Sequence, residues 1–328
     1  MRRLRNFGGA ILALMLLFPW GCRAADVVNV VNVGYVTGVE PAKAGISDGT
    51  FDRTLGRRVA WRRFDNGAEI VRALAAGDLD IGNIGSSVVA VAAGRQLPIE
   101  TFLVASVLGT SEALVVRDGS GIKVPADLAG KTIAVPFVTT AHYSLLAALK
   151  HWGIAKNAVR IVNLRISEIP AAWQGGNIDA AYAFDPALGH IRESGKVFAT
   201  SADVAGWGAP TFDVWVVRNE FSAKNPAVVA AFARTALDLM QSYRADPARF
   251  AAEPARVDHI VRATGAQAAD VPVLLSGNQY PDAAEQRRLL TGSYVRALAD
   301  TAIFLKEQGK VDTVLPDYRG YATARFLP

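Results

Sequence analysis

Apolar and polar positions change period repeatedly along this chain. Val27–Tyr35 is a β-branched run (Val-Val-Asn-Val-Val-Asn-Val-Gly-Tyr) that suits a buried strand, and Val59–Phe64 predicts a second. Ala68–Ala76 has helical spacing and stops at Gly77; Leu79–Gly82 then predicts a strand and Ser86–Ala93 a helix. Leu103–Val107, Glu112–Val116, Ile133–Pro136, Val159–Asn163, Asp179–Ala183 and Asp213–Val217 continue the strands, with helices between. From Pro226 the pattern is mostly helical, over Ala227–Ala245, Pro254–Thr264, Asp282–Leu289 and Tyr294–Gln308. Such alternation predicts an α/β protein whose mainly parallel sheets are covered by helices.

A weak repeat lies within the alternation. Its first copy is Ile70–Gly82, followed by Asn83 and Gly85-Ser86-Ser87; its second is Ile169–Tyr182, followed by Phe184-Asp185-Pro186. Each copy is a helix, a glycine stop, a polar turn with Asp, a short apolar strand and a new helix start. Two such units about 100 residues apart suggest two similar lobes. Ligands of open α/β sheets sit beyond the carboxyl ends of the strands, where both copies put their second helix start.

The segment Ile133–Lys150 adds chemistry to this geometry. Its strand breaks at Pro136, presents Thr139 and Thr140, and continues as a helix with Leu145, Leu146, Leu149 and Trp152 on one face. The two hydroxyls read either as ordinary helix caps or as part of an anion cradle, because the first helical N–H groups lack backbone partners and carry the positive end of the dipole. Ser86-Ser87 repeats the construction.

The N-terminus changes the reading of charge. Arg2, Arg3 and Arg5 precede an apolar run from Gly8 to Phe18, and Cys22-Arg-Ala24 offers small residues for cleavage, so residues 1–24 read as a signal peptide. Acylation of Cys22 is a second reading, less suited because Pro19 and Trp20 stand where a lipobox prefers Leu and a small residue. Loss of the four arginines in residues 1–24 lowers the formal charge from +5 to +1, which gives no support for nucleic-acid binding. Cys22 is the one cysteine, so the mature fold has no disulfide and relies on its core. A hydrophobic content of 51% over this length suits two lobes, and no second apolar run is long enough to span a bilayer.

Enzyme motifs are lacking. Gly45-Ile-Ser-Asp-Gly49 spells Gly-x-Ser-x-Gly but does not directly follow an apolar strand, so it is no nucleophile elbow; no P-loop or Gly-x-Gly-x-x-Gly occurs, and His142, His151, His190 and His259 have no metal-ligand spacing. No metal or cofactor is expected.

Several longer strings point to one family. Gly82-Asn-Ile-Gly-Ser-Ser87, Ser111-Glu-Ala-Leu-Val-Val116, Ala134-Val-Pro-Phe137, His142 to Ile154, Trp207 to Val217, Asp300 to Lys310 and Tyr321 to Phe326 together resemble the taurine-binding periplasmic proteins of ABC importers. The wider family of sulfonate, nitrate and thiamine-precursor binders shares the fold but not these strings. The resemblance implies a two-lobe periplasmic-binding-protein type II fold. It also implies a hinge of two crossovers, closure on the ligand, and delivery to ABC permease subunits by a monomer. Lobe one is expected at 25–117 and 219–328, lobe two at 118–218, with crossovers near Val116–Val124 and Val217–Asn219. A thiamine-pyrimidine-synthase-like enzyme would share the fold but carry a Cys-rich segment that this chain lacks. Other sulfonates and aminophosphonates stay open as ligands.

Taurine carries a sulfonate and an ammonium. Neutral donors at helix starts suit the sulfonate, which points to Gly85, Ser86, Ser87, Thr139 and Thr140. Carboxylates suit the ammonium, which points to Glu40 before Pro41 and above all to Asp213, an acid heading an apolar strand. Trp207 and Phe184 are expected as cleft walls, with Tyr35 beside them. His142 and Tyr143 either serve the anion site or pack under it. Asp185 stands where the resemblance leads us to expect a small residue, and either alters ligand preference or caps the helix beginning at Pro186.

Overall fold

A computed structural model describes residues 30–328. The expected leader and Cys22 lie outside them. Ten strands form two five-stranded sheets: β1 (Val31–Tyr35), β2 (Val59–Arg63), β3 (Ile81–Gly85), β4 (Ile99–Val107), β5 (Glu112–Arg117), β6 (Thr132–Val135), β7 (Arg160–Asn163), β8 (Ala180–Phe184), β9 (Gly195–Thr200) and β10 (Phe212–Arg218). The first sheet has the order β2-β1-β3-β10-β4 and the second β7-β6-β8-β5-β9. The two orders are the same pattern. β3 and β8 hold equivalent places, and these are the strands of the two repeat copies.

In each sheet four strands run one way and one is reversed. β10 is antiparallel to β3 and β4, and β5 is antiparallel to β8 and β9. The reversal follows from the crossovers. β4 ends at the mouth between the lobes, so a chain passing to the other lobe enters its next strand from the mouth and runs away from it. The return from β9 to β10 obeys the same constraint. The expected lobe boundaries are therefore corrected. β5 belongs to the second sheet and β10 to the first, so the crossovers fall at residues 108–111 and 201–211, each one strand earlier than expected.

Local sequence explains the elements that frame the mouth. The helix Gly67–Ala76 begins where the Asn66 side chain accepts from the Glu69 N–H, and ends at Gly77 with φ of 82°. The helix Ser86–Gly94 follows β3 directly, with Gly85 at its N-cap and no side-chain cap. The helix Thr140–His151 starts at Thr139, whose hydroxyl accepts from the His142 N–H. Val138, just before it, has φ of 63°, a strained conformation for a β-branched residue.

Each sheet is covered on both faces. The first lobe's core centres on Trp215, fully buried, against Phe232 at 4.9 Å and Trp61 at 6.3 Å. In the second lobe Ile133, Leu145, Leu149 and Tyr182 fill one face of the sheet, and Ile169, Trp173, Leu188 and Ile191 fill the other. Complete burial of each aliphatic side chain is worth about 1.5–3 kcal/mol, enough to hold the fold without a disulfide. The C-terminal helix Tyr294–Glu307 packs on lobe one and reaches the other: Phe304 meets Tyr143 at 5.2 Å, and Glu307 pairs with Lys150 at 3.7 Å. The helices expected over Asp282–Leu289 and Tyr294–Gln308 are joined by a π-type turn at Leu289–Ser293. No helix among the described residues is long and apolar enough to cross a membrane.

Candidate functional site

The carboxyl ends of β1, β3, β6 and β8 face a common cleft between the lobes. The helix starts at Gly67, Ser86 and Thr140 converge there. Of the residues expected at the site, Gly85, Thr139, Thr140, Phe184, Asp185 and Asp213 line the cleft. They are joined by Gly38, Asn66, Ser111, Glu112 and Asn278, with Val36, Val39, Val88, Leu108 and Leu274 as apolar wall. Among the described residues no Lys, Arg or His contributes to the lining.

Asp213 opens β10 opposite Gly85. Gly38 and Gly85 leave room for its carboxylate: a Cβ at Gly38 would sit 3.2 Å from Asp213 Oδ2, and one at Gly85 3.7 Å from Oδ1. Burial raises its pKa to about 6, against the pull of Lys43. Lys43 lies behind this wall with 0% exposure. Its Nζ donates to Asn83 Oδ1 at 2.7 Å and sits 4.8 Å from the Tyr35 ring centroid and 5.2 Å from that of Trp215. Burial lowers its pKa, and the nearby acids counter this.

Glu40 is buried at the start of a short 3-10 turn, Pro41–Gly45. Its Oε1 lies 3.5 Å from Lys43 Nζ, and burial raises its pKa to about 7. Glu40 thus stands behind the cleft wall as the partner of Lys43, not in a ligand loop. Ser86 is likewise behind the wall, its Oγ accepting from the Phe212 N–H at 3.2 Å and so fixing the start of β10. Ser87 is buried there too, its hydroxyl without a partner among the described residues.

Thr139 and Thr140 have their hydroxyl protons committed. Thr139 Oγ1 donates to the Pro136 carbonyl at 2.7 Å, and Thr140 Oγ1 donates to Glu112 Oε1 at 2.7 Å. The expected anion cradle at this helix start therefore already faces an acid of the protein itself. Glu112 is 2% exposed, opens β5 opposite Phe184, and accepts from Ser201 Oγ at 2.8 Å on its other oxygen. Burial raises its pKa to about 8, with Asp213 adding to the rise; the Thr140, Ser201 and Ala141 donors oppose it.

Asp185 supports the helix that follows it and also lines the cleft. Oδ1 accepts from the Gly189 N–H at 3.2 Å and so supports the helix Ala187–Arg192, while buried Oδ2 has no partner among the described residues. Burial raises its pKa to about 6. Its carbonyl accepts from Thr37 Oγ1 at 2.9 Å, a bond between the lobes.

Four of the aromatic residues considered for the site, His142, Tyr143, Trp207 and Tyr35, do not line the cleft. His142 is buried under the cleft, stacked on Phe137 with centroids 4.5 Å apart; its Nδ1 accepts from the strained Val138 N–H at 3.3 Å. Burial lowers its pKa to about 4. Tyr143 and Trp207 line a separate groove behind the helix Thr140–His151, where Trp207, 37% exposed, stacks on His151 at 4.2 Å. Tyr143 packs against Phe304 of the C-terminal helix on that side, and Trp207 follows the helix Ser201–Gly206 into the same groove. Tyr35 packs over Lys43 and does not line the cleft. Among the described residues Phe184 alone supplies an aromatic wall. Among the described residues no group of His, Cys, Asp and Glu is arranged to hold a metal ion.

The sequence signal for the missed Glu112 was present. It heads an apolar strand, Glu-Ala-Leu-Val-Val-Arg, just as Asp213 heads Phe-Asp-Val-Trp-Val-Val-Arg one residue in. The two strands are the reversed ones, at equivalent places in the two sheets.

Residues 59–250 match the family model described as NMT1/THI5 like. The chain belongs to this family. Within it, the chain is 53% identical over 303 residues to the taurine-binding periplasmic protein of Escherichia coli, covering 92% of this chain and 94% of that one. The putative aliphatic sulfonates-binding protein of the same organism is 31% identical over 54% of this chain and 56% of its own length. The alkanesulfonate-binding protein SsuA from Xanthomonas axonopodis, solved bound to MOPS, shares the fold with a TM-score of 0.72. It is 19% identical, over 89% of this chain and 97% of that one. The type II two-lobe fold expected from the sequence is thus the fold of the family.

Proposed function

We propose that this chain is a periplasmic solute-binding protein, not an enzyme, that captures taurine or a close aminosulfonate between its lobes. It then delivers the ligand to the permease of an ABC importer. The 53% identity to the Escherichia coli taurine-binding protein over nearly the whole chain supports the ligand class. The observation that carries the reading is the lining of the cleft. Glu112, Asp185 and Asp213 face it, and no basic side chain of the described residues is in the lining, so a ligand that brings its own cation is favoured over a plain anion. The uncapped start of the helix Ser86–Gly94 offers backbone donors to the sulfonate end without a protein cation. An aminophosphonate brings extra negative charge into the same acidic lining and suits it less.

The reading includes export with residues 1–24 as leader, a soluble mature form without acylation at Cys22, and action as a monomer. The lobes meet at the two crossovers, and the ligand favours the closed form because only that form offers both sets of contacts. Calorimetry of the mature protein with taurine and ethanesulfonate tests it. We expect taurine at roughly micromolar strength, about −8 kcal/mol, and ethanesulfonate at least tenfold weaker. Equal affinity for the two would refute the role of the acids.

A further inference from the structure

The two acids that head the reversed strands differ in one respect. Asp213 has Lys43 close behind it, whose charge lowers the carboxyl's pKa. Glu112 has no cation: no salt bridge joins it among the described residues. Yet its surroundings are built for the ionised form. Both oxygens accept hydroxyl protons, from Thr140 at 2.7 Å and Ser201 at 2.8 Å, and the start of the helix Thr140–His151 lies beside it. The titratable groups that face it from neighbouring elements are Tyr182 of β8 and Asp213 of β10, with Asp185 on the same cleft wall; none is a cation. A buried carboxylate with its donors in place and its counter-charge missing is an incomplete site.

We propose that Glu112 is a proton-exchanging acid of the cleft that confers specificity for cationic ligand groups. It holds a proton while the cleft is empty and loses it to solvent when an ammonium group seats between it and Asp213. The carboxylic O–H bond breaks, the proton passes to the buffer base, and the ammonium supplies the counter-charge. The cleft geometry allows one group to reach both acids. Thr140, which holds Glu112, faces Asp213 across Gly85, whose missing Cβ would sit 2.8 Å from Thr140 Cγ2 and 3.7 Å from Asp213 Oδ1. A pKa of about 8 in the unliganded cleft puts the exchange within the range where binding is measured. An ethanesulfonate anion brings no ammonium and leaves the proton in place.

This inference rests on taurine being a ligand, and the test separates the two. Titration of the mature protein with taurine at pH 7, in buffers of small and large ionisation enthalpy, counts protons. We expect release of about one proton per taurine, and an affinity that rises between about pH 6 and pH 8. The nearly isosteric Glu112→Gln should release markedly fewer protons and lose most of that pH slope. Asp213 and Glu40 can titrate nearby, so the difference between the parent and this variant is the quantity that decides. Taurine binding with no proton release by the parent overturns the inference and leaves the ligand assignment standing. Equal release by Glu112→Gln and the parent overturns it as well, and absence of taurine binding by the parent overturns both. Should Glu112→Gln not fold, the buffer comparison on the parent, repeated with Asp213→Asn, decides: release that vanishes with Asp213→Asn assigns the proton to Asp213 and refutes Glu112.

Discussion

Replacing Asp213 by Asn separates binding from stability more cleanly than any other change in the cleft. The amide keeps the shape, so the space left by Gly38 and Gly85 stays filled, and only the charge and half the acceptor capacity are lost. A charge-assisted hydrogen bond in a desolvated site is worth about 1.5–3 kcal/mol, which is about 10- to 150-fold in Kd. Stability has the opposite sign. Burial raises the Asp213 carboxyl from 3.8 to about 6, so the folded protein holds this proton more tightly than the unfolded chain. The stability that Asp213 contributes is present below about pH 4 and is lost as pH rises through about 6; at pH 7 the ionised group is a cost. Asp213→Asn removes that cost but also deprives Lys43 of an acidic neighbour, and we expect a net change within about 1 kcal/mol at pH 7. Calorimetry with taurine and a denaturant melt of the unliganded protein read the two effects. Unchanged taurine affinity, with the fold intact, would show that the acid is structural and that the ammonium sits elsewhere.

Gly85→Ala should block closure, because its Cβ would meet Thr140 Cγ2 at 2.8 Å across the cleft; we expect at least a tenfold loss of taurine affinity and no ligand-induced compaction in small-angle scattering, and parent-like compaction would refute the contact. Lys43→Met removes a fully buried cation from between Glu40, Asn83 and Asp213. Breaking such a pair costs about 3–5 kcal/mol, and a melt at pH 7 checks it. Part of that loss should be recovered near pH 5, where the raised carboxyls of Glu40 and Asp213 take up protons and no longer need the cation.

The parts of this protein legible in its sequence are those where local chemistry and tertiary position agree. The repeat copies appear as β3 and β8 because a glycine-stopped helix followed by an apolar strand has few other ways to fold. Asp213 was legible because an acid heading an apolar strand must find a partner. Glu112 obeyed the same rule, and only the sheet topology shows why the two are a pair. The crossovers were misplaced by one strand because a run such as Glu112–Val116 carries no mark of which sheet it joins. β9 escaped notice as a half-exposed strand next to β5, with Lys196 and Val197 turned to solvent. Tyr143 and Trp207 misled because aromatic residues at a helix end suit a cleft wall and a back groove equally, and only the packing of neighbouring elements decides between them.

The reversed strands also divide the cleft chemically. Each crossover delivers its strand to the mouth at its first residues, so whatever heads the strand faces the ligand. Here both heads are acids, one from each lobe. Closure that brought two bare carboxylates together would oppose itself; a proton on Glu112 or an ammonium between the two relieves that repulsion. Thr140 and Ser201 spend their hydroxyl protons on Glu112, and Ser86 serves the start of β10. On the proposed reading the sulfonate must then be held mainly by backbone N–H groups, and the helix Ser86–Gly94, whose N-cap is a glycine with no side chain to compete, is the start best placed to offer them. On the same reading, the hydroxyls that first suggested an anion site instead organise the acid that meets the cation. The ligand is thereby selected by its positive end as much as by its negative one.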